Sequence, residues 1–79
     1  MPHVIVMLWP GPSEEQKARL TEAIMGNMTS VLGLGEESVS VAIEEVEPGD
    51  WAGRVYAPDI LGKPDTIYKK PGYDPSELP

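Results

Sequence analysis

The run Val4-Ile5-Val6-Met7-Leu8 constrains this chain more than any other stretch. It reads as a strand from about His3 to Trp9, ended by Pro10-Gly11-Pro12, which cannot extend a ladder. Alternate side chains of a strand point to opposite faces, so Ile5, Met7 and Trp9 share one face and Val4, Val6 and Leu8 the other. Both faces are apolar. Strands of this kind are covered on both sides, yet a chain of 79 residues has little material for a double cover.

The following segment supplies one cover. Ser13 suits an N-cap, Gln16 three residues on completes a capping box, and Glu14 and Glu15 suit the positive end of the helix dipole. The helix is expected to run to Leu32 and stop at Gly33. Leu20, Ile24, Met28 and Val31 recur at helical spacing, with Ala23 and Leu32 beside them, and form the predicted core stripe. Gly26 inside the helix costs about 1 kcal/mol against alanine. Beyond the Gly33-Leu34-Gly35 turn, Ser38 to Val46 alternates, with Val39, Val41 and Ile43 on one face and Ser40, Ala42 and Glu44 on the other. Strand, long helix and strand make a βαβ unit of the α+β class, whose crossover sets the strands parallel. One helix covers one face of a two-stranded sheet. The other face calls for a second copy of the chain, so a homo-oligomer is expected from burial alone.

The remainder is irregular. Pro48-Gly49-Asp50 reads as a turn, Trp51 to Tyr56 as a helical turn, and Pro64 to Lys69 as a short helix. Pro58, Gly62 and Pro64 interrupt the chain, Pro71-Gly72 is a further turn signal, and residues 74–79 are expected to fray. A proline-rich tail that carries Trp51, Tyr56, Tyr68 and Tyr73 looks suited to wrapping a neighbouring subunit. The whole, residues 1–79, is expected to be one domain.

Composition narrows the functions. Thirteen acidic against six basic residues, a net charge of −7, repel nucleic acid and anionic membranes, so neither is an expected partner. There is no cysteine, and His3 is the only histidine, so no metal site and no cofactor is expected. Glu44 and Glu45 are read as a solvated rim. The N-terminal apolar run is too short for a membrane span and has no basic leader, which makes a cytoplasmic location the expectation.

One group remains that could work as a base near neutral pH. Pro2 is small enough to permit removal of Met1, and removal would leave a free secondary amine. An α-amino group titrates near neutrality, and an apolar surround lowers its pKa by disfavouring the charged form. General bases work best with a pKa near the operating pH.

These pieces together resemble the 4-oxalocrotonate tautomerase family. The resemblance lies in Pro2 opening a strand, in Pro12 to Lys17 (Pro-Ser-Glu-Glu-Gln-Lys), in Glu37 to Val46 (Glu-Ser-Val-Ser-Val-Ala-Ile-Glu-Glu-Val), and in Trp51. The Lys-Lys-Pro-Gly-Tyr segment, Lys69 to Tyr73, is similar to the tail of the dimeric, phenylpyruvate-tautomerising branch. The resemblance implies a βαβ protomer that pairs with a second subunit into a four-stranded sheet, with a dimer favoured over a hexamer. It implies Pro2 as the catalytic base and Trp51 as a wall of the apolar pocket. Family members that act on muconate-type dicarboxylates carry arginines at positions that align with Pro12 and Ser40, so a dicarboxylate substrate is not expected here. Of the remaining cations Arg54, Lys63, Lys69 and Lys70, Arg54 is the expected partner of a single substrate carboxylate; its other reading is a surface ion pair with the acidic stretch. The expected activity is enol–keto interconversion of a 2-oxo acid such as phenylpyruvate. The alternatives are a hydratase or dehalogenase that uses protonated Pro2, and a non-catalytic binder of small ligands.

Overall fold

Both strands and the long helix form where the sequence pattern places them, in a computed structural model that describes residues 1–79. The chain divides into two units, Met1–Glu45 and Val46–Pro79.

The first unit is the βαβ element: β1 (His3–Leu8), α1 (Glu14–Leu32) and β2 (Ser40–Glu45). The strands pair in parallel, from His3 opposite Ser40 to Leu8 opposite Glu45. The capping box is complete: the Gln16 N–H donates to Ser13 Oγ at 3.1 Å and the Ser13 N–H to Gln16 Oε1 at 2.8 Å. At the other end Gly33 takes a left-handed conformation with φ of 67°, which glycine adopts without steric cost. A 3₁₀ turn, Glu36–Ser38, precedes β2, so the strand starts at Ser40 rather than at Ser38.

The buried arc of α1 differs from the predicted stripe. Ile24 and Met28 are half-buried as expected, together with Lys17, Thr21, Met25 and Thr29. Leu20, Ala23, Val31 and Leu32 are exposed, Val31 at 80%. Two polar residues explain the rotation. Lys17 lays its aliphatic stem inward and sends its ammonium to Glu45 at 3.4 Å and Glu14 at 3.5 Å, as long amphipathic side chains do. Thr21 turns inward with its hydroxyl satisfied by the Lys17 carbonyl at 2.8 Å.

On the sheet, Val4, Val6 and Leu8 are half-buried. From the second face, Ile5 is 51% and Trp9 44% exposed, while Met7 is half-buried. No residue of this unit falls into the fully buried class.

In the second unit Pro48 does not open a turn. It begins α2 (Pro48–Trp51), where proline gives up no helical hydrogen bond. The chain then continues as π-helical turns over Ala52–Leu61, longer than the expected turn at Trp51 to Tyr56. Pro58 lies inside this run and can donate no backbone hydrogen bond. The Gly62 N–H closes the segment on the Ala57 carbonyl at 2.9 Å. A side chain at Gly62 would place its Cβ 2.5 Å from the Pro58 carbonyl oxygen, so this close approach requires glycine.

Only a 3₁₀ turn, Pro64–Thr66, forms where a helix to Lys69 was expected. The Thr66 hydroxyl caps it back onto the Lys63 carbonyl at 2.7 Å. The terminal segment contains a further 3₁₀ turn, Pro75–Glu77, with its own capping box. Asp74 Oδ1 accepts from the Ser76 N–H at 2.9 Å and from its hydroxyl at 2.8 Å, and these bonds hold the Asp74 carboxyl below its usual pKa. Trp51, Tyr56 and Tyr73 pack within their own unit: the Tyr56 and Tyr73 rings are tilted 48° with centroids 5.9 Å apart. Tyr68 alone of the four tail aromatics is fully exposed. Val46 and Val55 are the two buried hydrophobic residues of the chain, Val46 completely so. No helix is long and apolar enough to cross a membrane.

Candidate active site

Pro2 leads directly into β1 and is half-buried. Its carbonyl accepts from the Ser40 N–H at 3.2 Å, which fixes the start of β1 against the start of β2. Beside it, His3 Nδ1 and Ser40 Oγ form a 2.6 Å hydrogen bond. Ser40, where the resemblance places a carboxylate-binding arginine, is therefore a direct neighbour of Pro2 and ends in a hydroxyl held by His3. Pro12, the other aligned position, lies half-buried in the loop before Ser13. Met1 is 99% exposed. While Met1 is attached, the Pro2 nitrogen is an amide without basicity; its removal creates the secondary amine.

Trp51 ends α2 and is half-buried, with its indole N–H donating to Tyr73 Oη at 3.0 Å. Arg54 follows three residues later on the same helical run and is exposed. It makes no ion pair: the three ion pairs of the chain are Lys17 with Glu14, Lys17 with Glu45, and Lys63 with Asp59. The acidic stretch therefore does not hold Arg54 within the chain. No three His, Asp or Glu side chains converge on a point where a metal ion could bind.

Tyr73 is the residue that the sequence reading set aside. Within its own chain it serves as the acceptor for Trp51 and lies against Tyr56 with the rings tilted. The one available signal was compositional: an aromatic kept after a proline–glycine turn in a short tail.

Residues 2–55 match the model of the tautomerase enzyme family. A probable tautomerase of Xylella fastidiosa is 42% identical over 73 residues, covering 92% of this chain and 89% of that protein. Tautomerase PptA of Pectobacterium carotovorum is 39% identical over 74 residues, covering 92% of this chain and 97% of that protein. Among solved structures, TomN, a 4-oxalocrotonate tautomerase homologue of the tomaymycin biosynthetic pathway, superposes with a TM-score of 0.61 at 36% identity, over 63% of this chain and 77% of TomN. Another 4-oxalocrotonate tautomerase homologue matches with a TM-score of 0.61 at 32% identity, over 75% of this chain and 95% of its own.

Proposed function

Since this chain belongs to the tautomerase family, we propose that it interconverts the enol and keto forms of a 2-oxo acid such as phenylpyruvate, with Pro2 as general base after loss of Met1. The observation that carries this reading is the setting of Pro2. It is half-buried at the mouth of β1 and anchored through its carbonyl to Ser40, behind a fully exposed Met1 open to removal. The free amine takes the proton from the enol hydroxyl and returns it to carbon, so one group serves as base and then as acid. By the family resemblance, we assign the exclusion of water to Trp51 and the hold on the substrate carboxylate to Arg54, which is unpaired within its own chain, each supplied by this chain or by a second copy.

The absence of arginine at positions 12 and 40 favours a monocarboxylate over a dicarboxylate. A hydrogen bond to a charged group contributes about 1.5–3 kcal/mol, so two missing forks weaken a muconate-type substrate strongly. Assembly completes the reading: with only two buried hydrophobic side chains in the chain and Ile5 and Trp9 half-exposed on one sheet face, a second copy is needed to finish the core, most simply as a dimer. Among related structures one is a heterohexamer, from Chloroflexus aurantiacus.

The test is the pH–rate profile for ketonisation of phenylpyruvate enol, on protein whose mass confirms loss of Met1. Pro2→Ala should lower kcat/KM by roughly tenfold or more, about 1.4 kcal/mol, and Arg54→Ala should act mainly through KM. Unchanged kinetics in correctly processed Pro2→Ala would remove Pro2 from the reaction. A higher kcat/KM for 2-hydroxymuconate than for phenylpyruvate would overturn the substrate class and leave the base intact.

A further inference from the structure

The Val46–Pro79 unit contains an open cleft of about 290 Å³, lined by Tyr56, Ile60, Pro64, Ile67, Lys70 and Tyr73 among others. Every lining residue lies beyond residue 55, where the family match ends. Small-molecule pockets span about 300–1,000 Å³, so a cleft of this size suits a ligand with a single ring or a short apolar chain. Its walls are aliphatic, prolyl and aromatic. Three groups supply the polarity, the Tyr56 hydroxyl and two others.

The first is Lys70, whose ammonium pairs with no carboxylate of the chain although the protein carries a net charge of −7. The second is the Tyr73 hydroxyl. It accepts from the Trp51 indole N–H at 3.0 Å and donates to no acceptor of the chain, so its own proton is free. The indole fixes the oxygen in place, and the ring is held against Tyr56. An apolar slot with one unpaired ammonium and one oriented, unused O–H donor matches a single carboxylate on an apolar body. A second carboxylate would lie against apolar walls and lose its hydration without a partner.

We propose that this cleft is a binding site for small apolar monocarboxylates, arylalkanoates in particular, in which Lys70 and Tyr73 grip the carboxylate and Ile60, Ile67 and Tyr56 enclose the ring. The site does not depend on the chemistry of Pro2. An apolar monocarboxylate is also the kind of molecule proposed to turn over at Pro2, so occupancy of the cleft would respond to the level of such acids.

The experiment is an amide and indole NMR titration of the full chain with 3-phenylpropionate, which has no enolisable 2-oxo group, and with the neutral 3-phenylpropanol and the dicarboxylate glutarate as comparators. Saturable shifts are expected at the amides of Ile67, Lys70 and Tyr73 and at the Trp51 indole, with the Trp9 indole unmoved. A ligand of this size at modest efficiency binds with a Kd of about a millimolar. Lys70→Met, which keeps the apolar stem, and Tyr73→Phe, which keeps the ring, should each weaken the acid by about three- to fivefold and leave the alcohol unchanged, the range expected for an exposed charge or one neutral hydrogen bond. Pro2→Ala and Arg54→Ala should leave this binding as it is, so failure of the catalytic reading would not register here.

Equal affinity for acid and alcohol, or no response to Lys70→Met and Tyr73→Phe, would overturn the proposal. So would shifts confined to the amides of His3 and Ser40, which would put the acid at the proposed catalytic site alone. Shifts at Ile67, Lys70 and Tyr73 that follow protein dilution and ignore the acid would also overturn it, identifying the cleft as a subunit contact.

Discussion

Residues 1–45 and residues 46–79 are held together by different means. In the first unit the backbone does most of the work: a six-residue parallel ladder and a nineteen-residue helix with satisfied ends. In the second, no strand forms, and a short helix, π-helical turns and two 3₁₀ turns are tied by side chains: Trp51 to Tyr73, Tyr73 to Tyr56, Thr66 to Lys63, Lys63 to Asp59. Yet the two buried hydrophobic side chains, Val46 and Val55, both lie in the second unit. Regular secondary structure and a finished core are therefore separate achievements. A repeating backbone pattern orders β1, α1 and β2 but leaves an apolar sheet face half-open, whereas both buried valines fall in the irregular segment.

That contrast can be broken most directly on the sheet. Val6 is half-buried on the face of β1 that also carries Val4 and Leu8. Val6→Glu would bury an unpaired charge, at a cost of several kcal/mol, and should abolish folding or assembly. Ile5→Glu places the same charge on the opposite, half-exposed face. If a second copy covers that face, sedimentation should show that Ile5→Glu also disperses the oligomer. A stable 8.6 kDa wild-type monomer at micromolar concentration would refute the need for a partner.

A smaller effect is expected at the irregular end. Gly62→Ala would drive a Cβ to 2.5 Å from the Pro58 carbonyl oxygen, and a backbone atom cannot rotate away as a side chain can. We expect a loss of about 1–3 kcal/mol in urea unfolding, the range for overpacking. A mutant as stable as wild type would mean that the π-helical segment can shift without strain, and the second unit would then be looser than its buried valines suggest.

The smallest effect should come from pH. The Ser76 backbone and side-chain donors stabilise the Asp74 carboxylate and depress its pKa. A depressed folded-state pKa adds stability that is present above the ordinary carboxylate range and lost as pH falls through the lowered value. The Pro75–Glu77 turn should therefore persist at neutral pH and open only in acid. The amide of Ser76 should titrate with a midpoint below the ordinary aspartate range. A midpoint within or above that range would show that the cap does not hold in solution and that the segment frays, as the sequence alone suggested.

The elements that could be read from the sequence are those set by neighbouring residues. Ser13, Gln16 and Gly33 mark the ends of α1 because capping involves groups three or four residues apart, and the alternation around Val41 and Ile43 marks β2 for the same local reason. Pro2 was legible as a candidate base from its position behind Met1, and Trp51 from the resemblance. Tyr73 was not, because its partner Trp51 lies 22 residues away and nothing in the tail between them is periodic.

The sequence by itself determined the strand–helix–strand order, the helix termini, the parallel pairing and the excess of apolar surface on β1. Only the tertiary structure decided which arc of α1 turns inward, because a lysine that reaches Glu45 can cover apolar surface better than hydropathy assigns it. It also decided that Pro48 begins a helix, that the chain widens into π turns around Pro58, and that Trp51 and Tyr56 gather around Tyr73. These outcomes depend on which distant groups can meet at hydrogen-bonding distance, and that is a property of the folded path rather than of any local pattern.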